Sequence, residues 1–219
     1  MAADPDELGV AFSSSPYDGG GMFVSFEGLD GSGKTTQAER LRERLEADGQ
    51  TVVAAREPGG TELGERIREL VLHGGHVEPW AEALLYAASR AQHVYEVIRP
   101  ALERGASVIC DRYVDSSVAY QGVARGLGLE RVFDLNLAAV GGLLPDRTFL
   151  LLLDPSEIAG RLDREHDRLE REDDAFHARA DTGYRELATR FPERIVVLDG
   201  TRSADDLAEE VYGALRVSA

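Results

Sequence analysis

A short apolar run followed by a glycine-rich segment, between Met22 and Thr36, dictates how this chain begins to fold. The apolar residues Phe23, Val24 and Phe26 precede the letters GLDGSGKTT. Glycine, four residues and then Gly-Lys-Ser/Thr is the pattern of a phosphate-binding loop between a buried strand and a helix. Its glycines let successive backbone N–H groups curl around an anion, because no Cβ blocks left-handed conformations. The stretch therefore predicts a strand, a phosphate-binding loop and a helix.

The loop also predicts which groups meet a nucleoside triphosphate. The positive end of the following helix faces the phosphates, Lys34 reaches the outer phosphates, and the Thr35 hydroxyl binds Mg²⁺. Lys34 is the only lysine in the chain, so the single flexible ammonium stands where this loop needs one. The residues predicted to bind the triphosphate are Gly28, Leu29, Asp30, Gly31, Ser32, Gly33, Lys34, Thr35 and Thr36.

The composition argues against several classes of protein. With 40 acidic and 24 basic residues the net charge is −16, and an acidic surface repels polynucleotides and anionic membranes. The lone cysteine, Cys110, allows no intrachain disulfide and fits a reducing compartment. No apolar run approaches the roughly 20 residues that span a bilayer, and the acidic N-terminus lacks a signal-peptide core. We expect a cytoplasmic protein that binds no polynucleotide and no membrane.

Strands and helices alternate after residue 21. The short apolar segments typical of buried strands are 23–26, 52–55, 108–110, 148–153 and 195–198. The helical patterns are 34–47, 62–72, 80–98, 130–141, 155–167, 174–190 and 203–217. This alternation predicts an α/β fold with a five-stranded parallel sheet and helices on both faces. Residues 1–21 lack periodicity and are expected to form a flexible tail, so residues 22–219 form a single domain.

Charged residues follow the predicted strands, at the edge where parallel sheets bind their ligands. Asp111, after the third strand, is placed to hold Mg²⁺ directly or through water. Arg112 is placed beside it to clamp a phosphate. Arg56 and Glu57 precede a Pro-Gly-Gly turn, where they either point into the same cleft or form a solvated ion pair; the pattern leaves both open.

Two further segments have the composition of a nucleoside pocket. Tyr86 and Arg90 are four residues apart on one helix face, so Tyr86 can stack on a base while Arg90 donates to its carbonyl. The alternative is a partly buried tyrosine beside a surface arginine. Residues 115–122 combine hydroxyls, a phenol and an amide that can read a base or a sugar. Their alternative is an ordinary helix start with Asp115 or Ser116 as the N-cap.

Residues 157–174 are densely charged and contain four arginines. They form either a solvated helix with ion pairs or a mobile lid that brings arginines onto a transferring phosphoryl group. Phosphoryl transfer depends mainly on positioning and charge neutralisation, so the phosphate loop favours the lid. The lid arginines with a predicted catalytic role are Arg161, Arg164 and Arg168.

In these motifs the chain resembles the bacterial thymidylate kinases, which phosphorylate dTMP to dTDP with ATP. The resemblance runs from Met22 to the C-terminus and rests on FEGLDGSGKTT, REPGGT, AASR, DRY, SSVAYQG and RLERED in this order. It implies the three-layer fold of P-loop kinases with a short mobile lid at residues 157–174. It also implies ATP as the phosphoryl donor, Mg²⁺ as the cofactor, a role in dTTP synthesis and a homodimer.

The resemblance also implies roles for individual residues. Asp30 would contact the 3′-hydroxyl of the deoxyribose, and Tyr120 would disfavour a 2′-hydroxyl. Arg112 would lie near the monophosphate and is counted with Lys34 among the catalytic residues. Family members keep a further catalytic arginine in the loop or in the lid, and Gly31 follows Asp30 here, which implies the lid type. The residues implied for dTMP binding are Asp30, Glu57, Arg68, Tyr86, Arg90, Arg112, Ser116, Ser117, Tyr120 and Gln121.

Three alternatives to a dTMP kinase fit the sequence less well. Another nucleoside-monophosphate or deoxynucleoside kinase would share the core but would not need Arg90 together with the polar set at 116–121. A GTPase switch needs an Asn-Lys-x-Asp motif, for which the chain has no second lysine. An inactive scaffold would be expected to have lost Lys34, Asp111 or Arg112. We therefore predict Mg²⁺- and ATP-dependent phosphorylation of dTMP.

Overall fold

A parallel β-sheet forms the centre of the computed structural model, which describes residues 20–153 and 167–216. Its five strands are ordered β2-β3-β1-β4-β5, and all pairs between them are parallel. The strands are β1 (Phe23–Glu27), β2 (Val52–Arg56), β3 (Ser107–Asp111), β4 (Arg147–Leu152) and β5 (Ile195–Asp199). Each lies where the apolar runs predicted it, so the predicted sheet is confirmed.

Helices connect the strands and cover both faces of the sheet. They are α1 (Lys34–Ala47), α2 (Glu62–Arg68), α3 (Pro79–His93), α4 (Arg99–Glu103), α5 (Val114–Ser117), α6 (Leu129–Ala139), α7 (Asp174–Arg190) and α8 (Ala204–Arg216). Three of them continue into wider π-helical turns, α2 over Glu69–His73, α3 over Val94–Ile98 and α5 over Val118–Ala124.

The two faces of the sheet carry separate apolar clusters. On one face Phe26 and Leu151 of the sheet pack with Leu41 of α1 and Val211 of α8. The cluster on the other face is larger and is built by α2 to α7. It includes the buried Cys110, as the apolar residues beside it predicted. This burial of apolar area is the main stabilising term of a three-layer fold.

Helices α1 and α7 begin and end as their patterns predicted, at 34–47 and 174–190. Helix α7 starts there because the Asp173 carboxylate accepts a hydrogen bond from the Phe176 N–H at 2.7 Å. Helix α5 with its π turn is absent from the predicted helices, since serines and a glycine at 116–122 have weak helix propensity. The alternative of a helix start in this segment is therefore confirmed, but the N-cap residue is Tyr113, and a cap at Asp115 or Ser116 is wrong.

Some predicted segments fall outside the described residues. They are the first nineteen residues of the predicted tail, the helical pattern at 155–166 with Arg161 and Arg164, and residues 217–219. Of the predicted lid, residues 167–173 are described and form a turn before α7. Within the described ranges, every helix is too short or too polar to cross a lipid bilayer.

Candidate active site

The glycine-rich loop between β1 and α1 adopts the conformation that its sequence predicted. Gly28, Gly31 and Gly33 have φ values of 137°, 79° and 99°, in the region that side chains disfavour. Position 28 also has no room for a side chain, because a Cβ there would lie 2.4 Å from the Leu151 carbonyl oxygen of β4. The loop therefore packs directly on the carboxyl end of β4 and faces the site from the middle of the sheet.

Lys34, the first residue of α1, is buried within this loop. Its Nζ donates to the Leu29 carbonyl at 2.8 Å, which folds the ammonium back over the loop. Burial lowers the pKa of Lys34 to about 8, and the nearby Arg112 guanidinium lowers it too, against the opposing charges of Asp30 and Asp111. An anion bound in the loop would stabilise the charged ammonium.

Thr35 and Asp111 form a pair of oxygen ligands at the mouth of the loop. The Thr35 hydroxyl donates to Asp111 Oδ2 at 2.5 Å, which joins the start of α1 to the end of β3. Hydroxyl, carboxylate and phosphate oxygens are the donors that Mg²⁺ prefers, and Mg²⁺ at such sites keeps several waters. The two residues predicted as metal ligands are thus brought together and fit this ion.

A cavity of about 500 Å³ opens beside the loop at the carboxyl ends of the strands. It is lined by residues from every segment that the sequence singled out as a ligand-binding candidate. The predicted site residues that line it are Asp30, Gly31, Gly33, Lys34, Thr35, Thr36, Glu57, Arg68, Tyr86, Arg90, Asp111, Arg112, Ser116, Ser117, Tyr120 and Gln121. Its lining also includes Arg56, Pro58, Leu72, Asp167 and Leu169.

Three predicted loop residues do not line this cavity. The Gly28 carbonyl accepts a hydrogen bond from Arg112 at 3.1 Å, and Leu29 belongs to the apolar core. The Ser32 side chain is buried under the loop. These three residues help to shape the loop, while Asp30, Gly31 and Gly33 beside them line the cavity.

Arg90 is held by the protein more completely than the sequence suggested. Its guanidinium donates to Glu57 Oε2 at 2.6 Å, to Ser117 Oγ at 3.0 Å, to Asn136 Oδ1, and to the Tyr113 carbonyl at 2.9 Å. An arginine has five N–H donors, so these four bonds leave one for a ligand in the cavity. Arg90 is only 2% exposed, and the alternative of a surface arginine beside Tyr86 is wrong.

Asn136 is a site residue that the sequence analysis missed. It lies on α6 between the buried residues Val132 and Phe133 on one side and Val140 on the other, and is itself fully buried. Its amide donates to the Val132 carbonyl at 2.8 Å, which fixes the amide oxygen toward Arg90. The sequence did contain a signal for it: Asn136 is a polar residue whose helical spacing places it on the apolar face of α6, where a buried amide needs a hydrogen-bond partner.

Glu57 links Arg90 to a second buried group beneath the cavity. Its other carboxylate oxygen lies 3.0 Å from His93 Nδ1, and the Cys110 thiol is close by. Burial raises the pKa of Cys110 well above its usual value, and the adjacent Arg90 already neutralises Glu57. These charges disfavour a cation at Glu57, His93 and Cys110, and favour a role in holding Arg90.

Arg112 and Asp30 form an ion pair across the cavity. Arg112 Nη2 donates to Asp30 Oδ1 at 2.5 Å, and the Tyr120 hydroxyl donates to Asp30 Oδ2 at 3.3 Å. Burial would raise the pKa of Asp30, but the charges of Arg112 and Lys34 outweigh it and hold this pKa well below its usual range. Arg112 has a φ of 69°, an uncommon conformation for a non-glycine residue that is typical of functional sites.

Glu82 of α3 binds several polar groups near the base of the predicted lid. This fully buried carboxylate accepts from Gln121 Nε2 at 2.9 Å, from Arg125 at 3.3 Å and from Arg168 Nη2 at 2.5 Å. Arg168 also donates to the Val71 carbonyl at 2.8 Å, and it does not line the cavity. The structure thus places Arg168 in a contact that anchors the described part of the lid to α3, and its catalytic role stays a prediction.

The fold and the site together define a class of protein. The parallel sheet carries a phosphate loop after its first strand, a Thr–Asp pair beside that loop and arginines in the cavity. These features are characteristic of a P-loop nucleotide kinase. The chain belongs to the thymidylate kinase family, whose model matches residues 26–211. The resemblance in the sequence motifs is therefore confirmed.

Relatives from several bacteria support this membership. The chain is 55% identical over 190 residues to a thymidylate kinase of Bifidobacterium longum, covering 84% of this chain and 92% of the relative. It is 51% identical to one of Deinococcus radiodurans, covering 89% and 96%. A crystal structure of thymidylate kinase from Ehrlichia chaffeensis superposes with a TM-score of 0.76 at 33% identity, covering 90% of this chain and 99% of that one.

Proposed function

We propose that this protein transfers the γ-phosphoryl group of ATP to dTMP, giving dTDP for dTTP synthesis. The observation that carries this proposal is the single cavity in which Lys34, the Thr35–Asp111 pair, Arg112 and Tyr86 meet. Phosphoryl transfer needs a donor and an acceptor held in line, with their charges neutralised. Family membership and the names of the relatives support dTMP as the acceptor.

On the donor side, the phosphate loop holds the ATP phosphates with its backbone N–H groups and with Lys34. Thr35 and Asp111 hold Mg²⁺, which neutralises charge on the phosphates when it is bound. Lys34 adds a positive charge near the transferring group, and its burial excludes the water that would weaken this interaction.

On the acceptor side, Arg112 and Arg68 bind the monophosphate of dTMP. Tyr86 stacks on the thymine ring and Arg90 gives its remaining N–H to a base carbonyl. Ser116 and Ser117 contribute by holding Arg112 and Arg90 in place, at 3.1 and 3.0 Å. Asp30, already held by Arg112 and Tyr120, accepts from the 3′-hydroxyl, and the Tyr120 ring occupies the space of a 2′-hydroxyl.

ADP release with ATP, Mg²⁺ and a panel of nucleoside monophosphates tests this proposal. We expect kcat/KM for dTMP to exceed that for dCMP, dGMP and dAMP by at least about tenfold, since the site's buried polar groups would be left unpaired with the wrong base. A clear preference for another monophosphate, or no turnover of dTMP, would contradict the proposed acceptor.

We also propose that the further catalytic arginine comes from the lid, as Arg161 or Arg164. We expect that replacing one of them by alanine lowers kcat by about 10²-fold or more, as for arginines that neutralise a transferring phosphoryl group. Arg168→Ala is expected to act mainly on KM for dTMP, since Arg168 binds Glu82 beside Gln121. The exposed Arg171→Ala is the matched control within the same segment. Normal kcat in both Arg161→Ala and Arg164→Ala would contradict this assignment.

We propose further that residues 22–219 act as one kinase domain of a cytoplasmic homodimer that packs through α2 and α3. Four of the five exposed large apolar side chains among the described residues are on these helices and their π turns, namely Leu63, Leu70, Leu84 and Tyr95. Exposed apolar groups of this kind mark interaction surfaces. Sedimentation equilibrium of the full chain measures the oligomeric state directly.

A further inference from the structure

Glu27, the last residue of β1, is a buried carboxylate that the proposed chemistry leaves without a role. It is 0% exposed and lies directly before the phosphate loop, under the cavity. A buried carboxylate must be hydrogen-bonded to be tolerated, and the partners of Glu27 lead to the cavity.

Three groups donate to Glu27. The Tyr113 N–H donates to Oε1 at 2.7 Å, and the hydroxyls of Ser116 and Tyr184 donate to Oε2 at 2.6 and 3.1 Å. The partners come from the start of α5 and from α7, so one carboxylate ties both helices to the end of β1. The hydroxyls of Ser116 and Tyr184 serve neither the sheet nor a helix cap through this contact, which indicates a more specific use.

The two hydroxyls that donate to Glu27 also contact Arg112. Arg112 Nη1 lies 3.1 Å from Ser116 Oγ, 3.2 Å from the Tyr184 hydroxyl and 3.1 Å from the Gly28 carbonyl, so these three acceptors share its two N–H groups. A hydroxyl has one proton to donate. The two hydroxyl oxygens lie 2.9 Å apart, so either could donate to the other. When both protons instead point to the Glu27 carboxylate, both oxygens present lone pairs to the arginine.

We propose that Glu27 is a positioning residue for Arg112: its carboxylate orients the hydroxyls of Ser116 and Tyr184 so that they accept from the guanidinium and aim it at the monophosphate. This inference rests on the proposed function, because it assigns Arg112 to the acceptor phosphate. Protonation of Glu27 changes this network, since Oε2 then donates to one of the hydroxyls, whose own proton turns away from the carboxylate, toward the other hydroxyl 2.9 Å away or toward Arg112.

The surroundings of Glu27 place this change near neutral pH. Burial raises the pKa of Glu27 to about 7, and the charge of Asp115 adds to the rise, while Ser116 and Arg112 oppose it. Arg194 in turn pairs with Asp115 at 2.6 Å. The charged or titratable groups that face Glu27 are Asp115 from α5, Arg112 and Cys110 from the end of β3, Tyr184 from α7 and Lys34 from α1.

The test compares kcat/KM for dTMP in the wild-type chain and in Glu27→Gln between about pH 5.5 and 8.5. Titration of the substrate phosphates is common to both proteins, so the ratio of wild type to variant isolates Glu27. We expect this ratio to rise with pH through about 7 and to reach about tenfold, mainly through KM for dTMP, with a small change in KM for ATP. Asp146→Asn is the matched control, because Asp146 binds the Phe23 N–H at the other end of β1. The ratio of kcat/KM between the wild type and Asp146→Asn is expected to be independent of pH.

A ratio that is independent of pH, or a variant with the wild-type KM for dTMP, overturns the role of Glu27. Tyr184→Phe is the second variant, because it removes one of the two hydroxyls and leaves the carboxylate. We expect it to raise KM for dTMP, and an unchanged KM would also overturn the proposal. Absence of dTMP turnover in the wild-type chain would instead contradict the proposed function, so the two failures are distinct.

Discussion

Lys34→Met is expected to lower kcat by about 10²- to 10³-fold, the loss found when one preorganised group that stabilises transition-state charge is removed. The reason is the position of Lys34 at the start of α1, where its buried ammonium lies within the loop that we propose binds the ATP phosphates and lines the cavity. Steady-state kinetics with saturating ATP and dTMP measure this loss. The variant is expected to fold, because methionine keeps the buried stem and removes a charge whose burial already lowers its pKa to about 8.

Arg42→Met is the matched control for Lys34→Met. It also removes a cation from α1, but Arg42 pairs with Glu39 and Glu46 on the outer side of the helix. Surface ion pairs of this kind contribute little to the free energy of unfolding. The variant is therefore expected to fold, with kcat near the wild-type value. A Lys34→Met variant that keeps more than about a tenth of the wild-type kcat would contradict a direct role in charge stabilisation.

The parts of the fold that sequence reasoning predicted are those set by local pattern. Strands β1 to β5 follow from short apolar runs, and α1 from the spacing of Leu41 and Leu45 behind the phosphate loop. The strand ends also predicted which side chains meet, because parallel strands bring their carboxyl ends to one edge. Asp111 therefore reached Thr35 as expected.

The missed parts depend on pairing between distant elements. Nothing near Asn136 in the sequence shows that its amide faces Arg90, since that contact joins α6 to α3. Arg168 was predicted to serve the phosphates because it lies in a charged segment, yet the buried Glu82 binds it. Charge patterns predict that an ion pair forms, whereas the partner is decided by which carboxylate the fold buries nearby.

Arg90→Met is expected to lower the free energy of unfolding by about 3–5 kcal/mol, the cost of leaving one partner of a buried ion pair uncompensated. The Glu57 carboxylate would lose the guanidinium at 2.6 Å while staying buried. Asn136 and the Tyr113 carbonyl would also lose their donor. Urea unfolding of both proteins measures the difference. The exposed pair of Arg66 and Glu62 offers the control, since Arg66→Met is expected to change stability by less than about 0.5 kcal/mol.

A double variant separates the buried charge from the lost packing around Arg90. In Arg90→Met with Glu57→Gln the unpaired carboxylate is replaced by a neutral amide, so we expect the double variant to be more stable than Arg90→Met alone. The two residues are in direct contact, so their effects should be non-additive by about 0.5–3 kcal/mol. Additive losses would mean that Arg90 stabilises the fold through packing and its other hydrogen bonds. In both variants KM for dTMP is expected to rise, because each lacks the N–H that we propose Arg90 gives to the base.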